Sequence, residues 1–336
     1  MRFALDSSRV DFASSLDSML RDADVPKVSR ALAAGDVAPI RTLWKSLSDT
    51  GITGLLIGAE FDGSDAEPLD MVVALERMGK WAVPGPVVES LVAVPSLLRC
   101  VDTHNPERRR TWLHGLCSGQ LIATLAFDPA MPFAIDPAVA DLVLSVSADA
   151  VSTASIVSVH DSIDPTRKVG EVGVVHDTAE DATGFTGDIR AARAATELLA
   201  TLGIASQLLG AGQAMLDSSA EYVTSRRQFG RVIGSFQAVK HQLADVMIGL
   251  ELARPLLYNA ALSVAADSPT LQRDVSAAKI ACGDAAYRSS RVALQVHGAI
   301  GYTSEYDLSL WITKVRALQS AWGTAAVHRQ RVLEAL

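Results

Sequence analysis

The chain has 336 residues, a formal net charge of −8 and three cysteines, with an isoelectric point near 5.4. That length suits two or three domains around a large apolar interior, and an acidic balance with dispersed cations argues against a phosphate-rich nucleic acid as partner. Cys100, Cys117 and Cys282 are odd in number, lie in apolar stretches and lack metal-ligand spacing, so they read as thiols of a reducing compartment and no metal site is expected.

The opening residues, MRFALDSSRVDF, lack the apolar core of a secretory signal. No apolar run approaches the roughly 20 residues that cross a bilayer, so a cytoplasmic protein without membrane association is expected. Residues 1–115 read as an N-terminal helical domain, with apolar positions three and four apart over 12–20, 39–50, 70–83 and 86–100. Between the second and third of these, GITGLLIGAEFDGSDAEPLD reads as a crossing loop. Over 116–188 the pattern changes to short β-branched runs, IATLAF, DLVLSVSA, SIVSVH and VGEVGVVH, broken by Asp, Pro and Gly. These predict a small, shortened β domain.

Helical periodicity returns over 189–336. Val239, Leu243, Val246, Leu250, Ala253 and Leu257 draw one apolar stripe, which Pro255 is expected to kink. Ser268 as N-cap and Pro269 at the first helical position predict the start of the next helix. Its stripe runs through Leu271, Val275, Ala278, Cys282, Ala285, Val292 and Val296. Three long helices and one or two C-terminal ones predict a four-helix bundle. The fold class is therefore α+β, mainly α.

The most specific stretch is SRRQFGRVIGSFQAVKHQLADV at 225–246. It joins two long helical segments through an Arg226–Phe229–Gly230 turn, the kind of place where a ligand or partner docks. His241 and His297 lack a second ligand at helical spacing and read as packing or hydrogen-bonded residues. No Ser-His-Asp or Cys-His signature is present, and glycines 54, 58 and 63 form no phosphate loop.

The order of domains, together with RRQFGRVIGSFQAVKHQLADV at 226–246, QVHGAIGYTSEYDL at 295–308 and GTAAVHR at 323–329, resembles the acyl-CoA dehydrogenase family. Weaker matches are LWKSLSDTGITGLLIGAEFDG at 43–63, LERMGK at 75–80 and WLHGLCSGQLIATLAF at 112–127, so the resemblance covers nearly the whole chain. It implies a tetramer that holds FAD across a subunit boundary. On the neighbour-facing side it implies that Arg226 pairs with the pyrophosphate through charge-assisted hydrogen bonds, that Gln228 and Phe229 lie beside it, and that Gln295 and Gly298 form a second contact block. Ala299 stands where many members have a second glycine.

The flavin-ring side departs from the family. Where members carry Thr-Glu-Pro followed by Gly-Ser-Asp, this chain reads LAFDPAMPFAID at 125–136, keeping only Asp128 and Pro129, and its β region has no tryptophan. The family's catalytic glutamate directly precedes the Gly-Thr of the C-terminal block; Trp322 occupies that place, and an indole cannot accept the substrate's α-proton. In a minority arrangement the base lies on the first bundle helix. That register falls on Ala200, with Glu197 one turn, about 5 Å, earlier. Glu305 matches a family glutamate that is not the base.

The resemblance thus implies a catalytically degenerate subunit of a hetero-oligomeric, α2β2 acyl-CoA dehydrogenase. This chain would lend contacts to FAD housed mainly in a related partner chain, and analogy with the bacterial unlike-subunit enzymes offers a steroid side-chain ester as the acyl-CoA substrate. Two alternatives stay open: a self-sufficient homo-oligomer using Glu197 as relocated base, and a non-enzymatic interaction protein built on this fold.

Overall fold

The computed structural model describes residues 5–103, 105–174, 184–303 and 306–336. Helix α1 (Ser7–Asp22) starts where the Asp6 carboxylate accepts the Arg9 amide at 2.9 Å, one of the orphan donors of a helix start. Helices α2 (Val25–Ala33) and α3 (Ala38–Asp49) follow. α2 went unread in the sequence because its inward face holds only Val25, Val28 and Ser29, too short a run to show a period. The crossing loop appears as expected and holds two single 3-10 turns. Helix α4 (Pro68–Lys80) begins with a capping box between Glu67 and Asp70. A π-helical turn, Glu89–Ala93, leads into α5 (Val94–Cys100), then come β1 (Asp102–Thr103) and α6 (Pro106–Cys117).

The middle region holds β2 (Ala123–Phe127), β3 (Ala134–Ile135), β4 (Leu142–Val146), β5 (Val151–Asp161), β6 (Lys168–Val174) and β7 (Phe185–Thr186). Five of them form one sheet in the order β2-β4-β5-β6-β3, with β2 and β4 parallel and the other pairs antiparallel. β2 is buried along its whole length, whereas the buried residues of β4 alternate. β2 is therefore sandwiched between the helical regions, and β4 has one face covered. β1 and β7 pair separately.

The bundle is α7 (Ile189–Ser225), the hairpin β8 (Arg227–Gln228) and β9 (Arg231–Val232), then α8 (Gln237–Ala265), α9 (Leu271–His297), α10 (Leu308–Ser320) and α11 (Ala325–Glu334). The predicted start of α9 is corrected: Ser268 and Pro269 belong to a turn in which the Leu271 amide bonds the Ser268 carbonyl, and Thr270 is the cap residue. Asp274 then accepts the hydroxyls of Ser263 and Thr270 at 2.7 and 2.8 Å, which ties the turn to the end of α8. Pro255 lies inside α8, which continues through it to Ala265.

α7 is the central element. It contains a window apolar and long enough to cross a membrane, longer than the sequence reading allowed, but 83% of that window is buried inside the protein, so its hydropathy is that of a core helix. It meets α4 backbone to backbone: a Cβ on Gly210 would lie 1.8 Å from the Glu76 carbonyl oxygen, and one on Gly79 would lie 2.1 Å from that of Gln207. Only glycine permits that approach. Beside this contact the buried Glu76 carboxylate pairs with Arg254 of α8 and Arg77, and the Tyr258 hydroxyl donates to it at 3.3 Å. A buried acid with this many donors is satisfied rather than reactive.

Candidate functional site

Two places matter: the end of the bundle where the strongest motif lies, and the junction of all three regions around Trp322. At the first, α7 ends as the Arg226 amide bonds the Tyr222 carbonyl at 3.0 Å, and the chain turns through β8 and β9. Phe229 and Gly230 take left-handed conformations at the turn (φ 53° and 79°). This throws the Phe229 ring into solvent, 89% exposed. Phe236 meets it edge-on at 6.2 Å and carries the Arg231 guanidinium over its face at 4.0 Å. Across from the hairpin α9 ends at His297. Gly298 follows with φ 66° and ψ −144°, a conformation essentially confined to glycine.

Arg226, Gln228, Phe229, Gln295 and Gly298 all line one open cleft of about 430 Å³, together with Tyr222, His297 and Ala299. Arg226 makes no ion pair among the described residues and is exposed, so its charge is available to an anion. A Cβ on Gly298 would meet nothing within 4 Å; the space in front of that backbone is open. The His297 ring is held between Tyr222 (4.2 Å) and Tyr306 (5.3 Å), and its Nδ1 donates to the Ala293 carbonyl at 2.9 Å. Burial pushes its pKa down, so the ring is neutral and Nε2 is an acceptor. That nitrogen is buried and has no hydrogen-bond partner among the described residues. His297 is thus packed and hydrogen-bonded as expected, but only on one side. His241 is exposed on α8. Glu305 lies outside the described residues, and among the described ones no cluster of three metal-binding side chains occurs.

At the second place Trp322 is fully buried in a turn with Gly323, both at positive φ (55° and 104°). Its Nε1 donates to the buried Glu89 carboxylate at 3.1 Å, and its ring lies 5.0 Å from that of Phe127. Its carbonyl accepts from His328 Nε2 at 3.0 Å and from the Thr201 hydroxyl at 3.4 Å. Because Nε2 is the donor, His328 Nδ1 accepts from Ser276 at 3.2 Å. Burial pushes the pKa of this imidazole down to about 4. Phe127 directly precedes Asp128-Pro129, so it stands at the threonine of the family pattern. The Arg193 guanidinium stacks on it at 4.4 Å and donates to the carbonyls of Val146, Ser147 and Asp128. Phe127 of β2 thus meets both Arg193 of α7 and Trp322 of the turn before α11.

Glu197 is elsewhere engaged. Its carboxylate pairs with Arg331 of α11, in a surface cleft also lined by Gln272 and Glu334, while Ala200 is completely buried. Sequence reasoning missed Glu89 and Arg193. Glu89 sits in VVESLVAV, an apolar run in which a lone acid gives no sign of its partner 233 positions away.

A helical domain, a short sheet and a bundle in this order, with a hairpin and a glycine-ended helix facing one cleft, define the acyl-CoA dehydrogenase fold. The family model for the acyl-CoA dehydrogenase N-terminal domain matches residues 9–120, and that for the C-terminal domain matches 193–336. The chain belongs to the acyl-CoA dehydrogenase family. It is 29% identical to the acyl-CoA dehydrogenase IpdE2 of Mycolicibacterium smegmatis over 310 residues, 91% of this chain and 92% of that one. Its fold is similar to a chain of the ChsE4-ChsE5 complex from Mycobacterium tuberculosis (TM-score 0.83, 24% identity, 99% and 98% of the two chains). It is likewise similar to the Tcur3481-Tcur3483 steroid ACAD (TM-score 0.84, 21% identity, 98% and 97%).

Proposed function

We propose that this chain is the catalytically degenerate subunit of a hetero-oligomeric, FAD-dependent acyl-CoA dehydrogenase, and that it serves a cofactor whose flavin ring is housed by a related partner chain. Trp322 carries the reading. The place of the catalytic base holds a fully buried indole that is hydrogen-bonded to Glu89 and packed on Phe127. Neither the donor set nor the space there suits an isoalloxazine ring beside an acyl thioester, so no step of dehydrogenation is assigned to this junction.

The bundle-end cleft fits the other half of a flavin dinucleotide. Arg226, without an ion pair among the described residues, supplies a cation for the pyrophosphate, Gln228 and Gln295 supply amide donors and acceptors, Gly298 gives an open backbone approach, and Phe229 gives an exposed aromatic face. His297, which lines the same cleft and has no hydrogen-bond partner for Nε2 among the described residues, is compatible with this reading. When bound, the flavin would accept the hydride leaving the acyl β-carbon; the residues of this chain would bind and orient its adenosine diphosphate portion. A partner of unlike sequence is supported by the structural likeness to a chain of the ChsE4-ChsE5 complex, and a steroid-type acyl-CoA by the likeness to the Tcur3481-Tcur3483 steroid ACAD; the arrangement proposed is α2β2.

Co-expression with a related chain that retains Thr-Glu-Pro and Glu-Gly-Thr tests the reading. The lone chain should be colourless and inactive on acyl-CoA, and the complex should be yellow, with flavin counted per chain by absorbance and native mass. Stoichiometric FAD with turnover in the lone chain would refute it.

A further inference from the structure

Helix α8 is apolar on two opposite sides. Its inward stripe, which includes Val246, Leu250, Ala253 and Leu257, is buried in the bundle, yet Ile248 and Leu252 on the other side are 53% and 66% exposed. A helix that is hydrophobic all round belongs in an interior, and no element among the described residues covers this outer side. Ile248, Leu252, Pro255, Asn259, Leu262 and Ala266 follow one another along it at steps of four, three, four, three and four. That is the heptad spacing of a row that packs against another helix. Each of the six is exposed or half-buried.

The row also says which helix fits. The charges between Asp245 and Asp267 are Glu251 and Arg254, which lie off the row and 3.8 Å from one another, with Arg254 also paired to the buried Glu76. Asp245, beyond the start of the row, is tied to Arg288 of α9 at 2.8 Å. A single polar residue in such a row, here Asn259, fixes register at a cost in stability. The row matches its own reverse: turned end for end about position 257, Ile248 faces Ala266 of a second copy, Leu252 faces Leu262, and Pro255 faces Asn259. A chain of net charge −8 repels its copies, and an uncharged strip about 27 Å long at 1.5 Å per residue is where two can approach. We infer that the outer side of α8 is an interface for a second copy of this chain, with the two α8 helices antiparallel across a twofold axis. The strip starts beyond Val239 and Gln242, the α8 residues of the bundle-end cleft, so the inference does not rest on the shared-cofactor reading.

Sedimentation equilibrium of the full chain tests it: the chain alone should be a dimer of the 35.5 kDa subunit. Leu252→Glu, a change at an exposed position, should leave the circular dichroism spectrum unchanged and weaken the dimer about a hundredfold or more, because a twofold interface loses each side chain twice. Arg226→Ala should leave the dimer intact. Cysteine pairs read the register. Leu252→Cys combined with Leu262→Cys should form a disulfide between copies on mild oxidation. Leu252→Cys alone should not exceed the wild-type background, because the two copies of position 252 lie ten residues, about 15 Å, apart along the axis. Co-expressed with the related chain, the double variant should still link this chain to its own copy. A monomer, a dimer that survives Leu252→Glu, a link through Leu252→Cys alone, or no link in the complex overturns the inference.

Discussion

Restoring the family's base by Trp322→Glu is expected to damage the chain rather than revive it. The side chain removed is fully buried, and large-to-small replacement of a buried tryptophan costs about 3–5 kcal/mol, of which the shorter glutamate recovers only part. The introduced carboxylate would also face Glu89, whose Oε1 lies 3.1 Å from the indole nitrogen it replaces. Two like charges about 4 Å apart at an effective dielectric near 20 repel by about 4 kcal/mol. Together these terms reach much of the total stability of a typical domain, about 5–15 kcal/mol. The pair relieves the repulsion by sharing a proton, which raises one carboxyl pKa in the folded state above its unfolded value. The folded variant then binds more protons than the unfolded chain, so its stability falls as pH rises. Urea denaturation should show a large deficit at pH 8 that narrows at pH 5, and the lone variant should remain without flavin. A variant as stable as wild type at pH 8, or one that turns over acyl-CoA alone, would refute the reasoning.

Other perturbations read the remaining features. Arg226→Ala in the co-expressed complex should lower FAD retention on dialysis by about 1.5–3 kcal/mol, or roughly ten- to a hundredfold, the worth of a hydrogen bond to a charged group; unchanged occupancy would reduce Arg226 to a helix-end residue. His328 has its folded pKa lowered to about 4, so its contribution is complete above the unfolded value near 6.5 and is lost as pH falls towards 4, up to about 3 kcal/mol. His328→Gln should flatten that part of the acid-denaturation profile. Asp136 has its carboxyl pushed up to about 7 by burial, so its contribution is present below the unfolded value near 4 and is lost as pH rises through 7. Asp136→Asn, which keeps an acceptor for Lys168 and suits the positive φ of 47°, should stabilise the chain at pH 8 and not at pH 4 in paired melting curves. Glu197→Gln should leave turnover of the complex unchanged, since its carboxylate is already paired with Arg331.

Much of the cleft could be read from the sequence because its residues lie in two continuous blocks. Arg226, Gln228 and Phe229 share one turn, and Gln295 and Gly298 share one helix end, so local spacing carried their geometry. The helices with long apolar stripes were legible for the same reason. α2 was not, being short. The start of α9 was misplaced because Ser268-Pro269 satisfies the rule for a helix start and equally the rule for a turn, and the bonds of Asp274 to Ser263 and Thr270 decide between them. The junction around Trp322 was half legible: the tryptophan before Gly-Thr was visible, but its partners Glu89, Phe127 and Thr201 come from distant segments. Nothing local encodes such a meeting.

That meeting has an evolutionary consequence. Trp322 belongs to the bundle, Glu89 to the N-terminal helices and Phe127 to the sheet, so one indole bonds or packs against both other regions. In a chain that dehydrogenates its own substrate, this seam must stay open to a reactant. On the proposed reading, the indole fills the interior here and contributes cohesion instead of chemistry. On that reading, Trp322→Glu alone would unfasten the three regions in the same step that introduced a carboxylate. The proposed division of labour between unlike chains would then be held in place by folding as well as by activity.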